Sequence, residues 1–181
     1  MNPAGRLIRK VTYLLPRLIL LLIPALYVLF ALLTYFDYFE AYLYPLHFIQ
    51  GKASKVSDKI IIGPYPHFEE LKKLKEDYGV SIAVSLLNVN LPQEKALYER
   101  EKKSAAMLGM VSVSFPMEYF PLESSSNRKV LQNVVDFIRS HRASRLYIHC
   151  YLGKHRVGLV KEVLSREGLI RDDRSKDVVL P

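Results

Sequence analysis

Leu18 to Phe36 is a run of 19 residues without a charged side chain, long enough to cross the hydrocarbon core of a bilayer as a helix. Beyond it the pattern changes. "HFIQGKASKVSD" reads as a short polar connector, and from Lys59 short β-branched runs alternate with stretches of helical period. "KIIIGPY" is a strand ended by Gly63 and Pro64, and "HFEELKKLKEDYG" spaces Phe68, Leu71 and Leu74 as one helix face with Gly79 as its stop. "VSIAVSLL" is the second strand. Asn90 ahead of Pro92 predicts a capped helix through "LPQEKALYEREKKSAAMLG", with Leu97, Ala105 and Leu108 inward. "MVSVSFP" alternates as a third strand, and "SSSNRKVLQNVVDFIRSHR" places Val130, Leu131, Val134, Phe137 and Ile138 on one helix face. "RLYIHC" is the fourth strand and "RVGLVKEVLSREG" the last helix, closed by Gly168. This alternation implies an α/β fold with a central sheet flanked by helices.

The N-terminal run extends upstream through "VTYLLP" and is interrupted only by Arg17. It exceeds a signal-peptide core, and no small-residue cleavage site follows it. Tyr27, Tyr35, Phe36, Tyr38 and Phe39 have the placement of an interfacial aromatic belt. The expected organisation is a single-pass membrane anchor and connector over residues 1–50 and a catalytic domain over 51–181. Arg6, Arg9, Lys10 and Arg17 before the span, against Asp37 and Glu40 after it, favour a cytoplasmic N-terminus. Lys52, Lys55 and Lys59 soften that asymmetry and leave the side of the membrane open.

Composition changes this picture little. The 181 residues carry a net charge of +8, which attracts anions in general. Much of that charge falls in mixed-sign segments such as "EELKKLKED" and "YEREKK", which read as solvated helix faces. No aromatic-interleaved basic motif of a nucleic-acid reader and no zinc-ligand spacing is present. A single cysteine, Cys150, excludes an internal disulfide framework.

The candidate chemistry lies in "LYIHCYLGKHRVG". A strand delivers Cys150 into a short loop containing Gly153, and a helix opens near Arg156. Ligands of α/β sheets gather at the carboxyl ends of the strands. Loop N–H groups converging on a helix start suit a phosphate dianion, and the same field favours a thiolate. An arginine fork there can grip two phosphate oxygens at once. Such a cysteine can attack phosphorus.

"HCYLGKHR" resembles the His-Cys-five residues-Arg signature of the cysteine-dependent protein-tyrosine phosphatase superfamily, and the short α/β layout from Lys59 to Gly168 resembles its dual-specificity branch. The resemblance implies Cys150 as nucleophile and Arg156 as phosphoryl-binding group. It further implies that the backbone of Tyr151, Leu152, Gly153, Lys154 and His155 cradles the phosphate oxygens, and that His149 supports the thiolate from below. A phosphorylated protein or phospholipid would be the substrate, with no metal or other cofactor and no nucleic acid.

Three departures from that pattern stand out. The family draws its general acid, an aspartate, from an upstream loop, and here that loop reads "SFPMEYFPLESSS". Glu118 is the first candidate for the acid and Glu123 the second, whereas Asp136 falls on a helix. Val157 stands where the family has a serine or threonine whose hydroxyl assists breakdown of the phosphoenzyme. Only "LIRDDRSKDVVLP" follows Gly168, where related domains add helices. The expected function is a membrane-anchored phosphatase acting on phosphomonoesters through a phosphocysteine. A phospholipid phosphatase and a catalytically weak phosphate-binding module are the alternatives.

Overall fold

The computed structural model describes residues 3–35, 50–170 and 176–180. The chain divides into two compact units. The first contains helix α1 (Pro3–Thr34), whose window Leu15–Leu32 has a mean hydropathy of 2.3. Leu20, Leu21, Tyr27 and Phe30 are all exposed on it, so its apolar surface is not confined to one stripe. Phe36, Tyr38 and Phe39 of the expected aromatic belt, and Asp37 and Glu40, lie outside the described residues.

The second unit is built on a six-stranded mixed sheet: β1 (Ala53–Lys55), β2 (Ile60–Gly63), β3 (Ile82–Ser85), β4 (Val111–Ser114), β5 (Leu146–His149) and β6 (Lys176–Val178), in spatial order β4-β3-β5-β2-β1-β6. β2, β5, β3 and β4 run parallel, and β1 is antiparallel to both β2 and β6. The connector is therefore partly strand, and the chain end returns to pair with it, where the sequence pattern predicted neither.

Strand alternation sorts the core into two layers. Ile60, Ile62, Ile82, Val84, Leu146 and Ile148 face helices α4 (Ser125–Ser140) and α5 (His155–Arg166). Ile61, Ala83 and Tyr147 face α2 (Phe68–Glu76) and α3 (Pro92–Met107). Burying the Ile, Leu and Val side chains of these layers stabilises the fold by roughly 1.5–3 kcal/mol each before entropy is counted. Two local readings are corrected. The residue capping α3 is Leu91, with Pro92 next, while the Asn90 N–H bonds the side chain of Asn88. On the edge strand β4, Val111 is exposed, while Val113 and the following Phe115 pack against one core layer and the preceding Met110 is buried in the other.

Candidate active site

β5 is an inner strand of the parallel set, between β3 and β2, and ends at His149, in register with Gly63 of β2 and Ser85 of β3. Because side chains alternate across a strand, His149 points to the α2/α3 layer and Cys150 to the other. Cys150 is 2% exposed and packs in the α4/α5 layer. It nonetheless lines a cavity of about 260 Å³ together with Glu94, Tyr119, Tyr151, Leu152, His155 and Arg156. The thiol sits recessed at that cavity's base.

The loop from Cys150 to Lys154 is held from outside. Its Tyr151 carbonyl accepts from the Tyr65 N–H at 3.2 Å and its Leu152 carbonyl from the Gly51 N–H at 2.7 Å. A trans peptide directs its N–H opposite to its C=O, so the Leu152 N–H turns away from Tyr65, while the Gly153 N–H donates to the Cys150 carbonyl at 3.3 Å and closes the loop as a turn. Gly153 has φ +65°, and a Cβ there would lie 2.4 Å from the backbone nitrogen of Pro64. Gly153→Ala is accordingly expected to lower stability by at least about 2 kcal/mol, left-handed backbone strain plus a backbone clash. Denaturant unfolding of the full chain tests this, and a loss below about 0.5 kcal/mol would show that the loop adapts.

Arg156 is 2% exposed and anchors three elements. Its Nη1 donates to the Leu86 carbonyl at 3.0 Å, after β3, and to the Met117 carbonyl at 3.3 Å, after β4. Its fork meets the Glu94 carboxylate bidentately, Nη2 to Oε1 at 2.6 Å and Nη1 to Oε2 at 2.8 Å. Burial opposes the guanidinium charge, but hydrogen bonding and attraction from Glu94, reinforced by Cys150, outweigh it and raise the pKa above its ordinary value. Tyr119 adds its ring, with the guanidinium carbon 6.0 Å from the ring centroid.

Beneath Cys150, His149 Nε2 lies 3.0 Å from Glu101 Oε2, with both side chains fully buried. The approach lacks the alignment of a good hydrogen bond. Glu101 Oε1 accepts from the Ser112 hydroxyl at 2.8 Å. The Tyr147 ring stacks on His149 at 5.6 Å, and its hydroxyl donates to the Pro64 carbonyl at 2.7 Å. Burial, then the charge of Glu70, pushes the Tyr147 phenol well above its usual range and keeps it a donor.

The structure thus brings Cys150, Tyr151, Leu152, His155 and Arg156 together around one cavity, with Gly153 and Lys154 completing the loop. It does not bring Glu118 to them. The Glu118 N–H and C=O are both bonded to the buried Asn127 side chain, and Glu118 is not among the residues lining the cavity. Glu123 is exposed, and Asp136 lies on α4 beside Gln132 and Arg139. Val157 is buried in the core and offers no hydroxyl.

Sequence reading missed Glu94 and Glu101. The segment "YEREKK" was expected to be solvated, but Glu101 is 1% exposed. Its spacing carried the signal: Leu97, Glu101 and Ala105 fall four apart, so the glutamate occupies the apolar stripe of α3.

No family model matches the sequence, and no curated protein does. Solved structures share the fold. The core catalytic domain of the PP-IP phosphatase Siw14 from S. cerevisiae, bound to citrate, is 20% identical with a TM-score of 0.52, the match covering 65% of this chain and 66% of that one. A second structure of the Siw14 catalytic core is 18% identical with a TM-score of 0.54, covering 67% and 69%. A candidate phosphatase of the DUF442 group from Shewanella putrefaciens CN-32 is 14% identical with a TM-score of 0.55, covering 68% and 77%. The chain spans just under two thirds of the first of these. At such identities the likeness is one of fold, and that fold is the one the sequence resemblance implied.

Proposed function

We propose that this chain is a membrane-anchored, cysteine-dependent phosphatase of the dual-specificity type, with residues 51–181 as its catalytic domain. The observation that carries the reading is the convergence of Cys150, the loop residues Tyr151 and Leu152, and the buried Arg156 on one cavity. In the reaction Cys150 Sγ attacks phosphorus, the P–O bond to the leaving group breaks, and the phosphoryl group passes to sulfur. Arg156 and the loop N–H groups stabilise the charge on its oxygens. Water then attacks the phosphocysteine and releases phosphate and thiolate. With Val157 supplying no hydroxyl to help sulfur leave, this second step is the slower one.

Phosphoproteins are the primary substrate class, and two observations add others to the panel. The apolar helix α1 favours phospholipid headgroups, and the shared fold with Siw14, a PP-IP phosphatase, favours multiply phosphorylated small molecules. The test is turnover of p-nitrophenyl phosphate by the full chain in detergent micelles without added metal, followed by phosphopeptides, phosphatidylinositol phosphates and phosphatidylglycerophosphate. Turnover inhibited by vanadate is expected. Absence of any turnover from acidic to neutral pH, with phosphate still protecting Cys150 from alkylation, would leave the chain a phosphate-binding module.

The anchor has its own test. The full chain is expected to stay in the membrane fraction through alkaline carbonate extraction and to retain residues 1–35 by intact mass, which a cleaved signal would lose. Replacing both Leu21 and Leu22 by Arg should release it, because each central arginine costs roughly 2.5–3.5 kcal/mol of insertion free energy. Extraction of the unmodified chain by carbonate would sink the anchor.

A further inference from the structure

Resting on the phosphatase reading, we propose that His155 is the general acid and base of this site, in place of an upstream carboxylate. The cavity holds few groups that can perform the task. Glu94, the one carboxylate lining it, has both oxygens engaged by Arg156, and Oε2 also accepts from the Asn88 N–H. That arrangement leaves neither Glu94 oxygen free to face a leaving group. The Tyr151 hydroxyl is buried. Tyr119 and His155 remain, and they touch each other: their rings meet edge to face at 5.9 Å and an angle of 86°.

His155 is exposed and opens α5 immediately before Arg156, so its ring borders the cavity while Arg156 lies buried beneath. Imidazole exchanges its proton near neutral pH, whereas a phenol's ordinary range lies far above it. The Tyr119 ring limits the directions open to the imidazole and leaves it as the proton-exchanging group at the mouth, where a leaving-group oxygen would emerge. In the first step the thiolate forms the S–P bond, the electrons of the breaking P–O bond go to the leaving oxygen, and the imidazolium of His155 gives that oxygen its proton. In the second, neutral His155 takes a proton from the attacking water as the S–P bond breaks, which restores imidazolium and thiolate. Both half-reactions balance without a further reactant.

The experiment compares p-nitrophenyl phosphate, whose phenolate leaves without much help, with phenyl phosphate, whose phenolate needs a proton. In the full chain, His155→Asn and His155→Gln should lower kcat/KM for phenyl phosphate by about 10²–10⁴-fold and for p-nitrophenyl phosphate by less than about tenfold. A group that only adds charge to the phosphate site would lower both equally. Equal losses, or no loss, would overturn the assignment and leave the phosphatase reading intact. A leaving-group-dependent loss in Glu118→Gln or Tyr119→Phe, absent from the His155 variants, would also overturn it. An unmodified chain inactive on both substrates would overturn the phosphatase reading itself, and this assignment with it.

Discussion

Cys150→Ser is expected to reduce p-nitrophenyl phosphate turnover by at least about 10⁴-fold, the scale on which removing an enzymic nucleophile acts. A serine hydroxyl is un-ionised near neutrality and is a far weaker nucleophile than a thiolate. Helix start, loop N–H groups and the Arg156 fork are untouched by the change, so binding should survive. Added phosphate should still raise the thermal midpoint of the variant, since a ligand that binds only the folded state stabilises it by mass action. Residual turnover above about 1% of the unmodified rate would show that phosphorus is attacked by something other than Cys150. Loss of phosphate stabilisation together with turnover would show that the substitution disturbed the loop, and Cys150→Ala then gives the independent check.

The largest stability effect is expected at Glu101, a residue that touches no substrate. Glu101→Ala takes the acceptor from the half-buried Ser112 hydroxyl and removes the carboxylate 3.0 Å from the fully buried His149 Nε2, and leaving polar groups in the interior without a partner costs about 1–3 kcal/mol each. Unfolding of the full chain in denaturant should register a loss of that size. Glu101→Gln, which can still accept from Ser112, should lose less. A Glu101→Ala variant within about 1 kcal/mol of the unmodified chain would mean that water or a rearranged His149 replaces the carboxylate. Activity should fall alongside stability, because His149 is the last residue of β5 and sets where Cys150 leaves the sheet.

The parallel strands β2 to β5 and the helices between them were legible because each carries a period of its own: apolar runs such as "IIIG" and "LYIH", and the α4 face from Val130 to Ile138. β1 and β6 were not. "ASK" and "KDV" are three residues each with no alternation to read; the first becomes a strand by pairing with both β2 and β6, and the second by pairing with β1. Local propensity is a weak guide to such edges, whose pairing is a long-range event.

At the site the same division holds. Order along the chain alone determined that a cysteine follows a strand, that glycine interrupts the loop and that arginine opens a helix, since these relations are local and the backbone obeys them locally. Which carboxylates serve the site was decided by tertiary structure. Glu94 and Glu101 lie on one helix far from Cys150 in sequence, and only the packing of α3 against the end of β5 carries one to Arg156 and the other to His149. Burial then makes those contacts strong, because a charge removed from water must find its partner inside the fold.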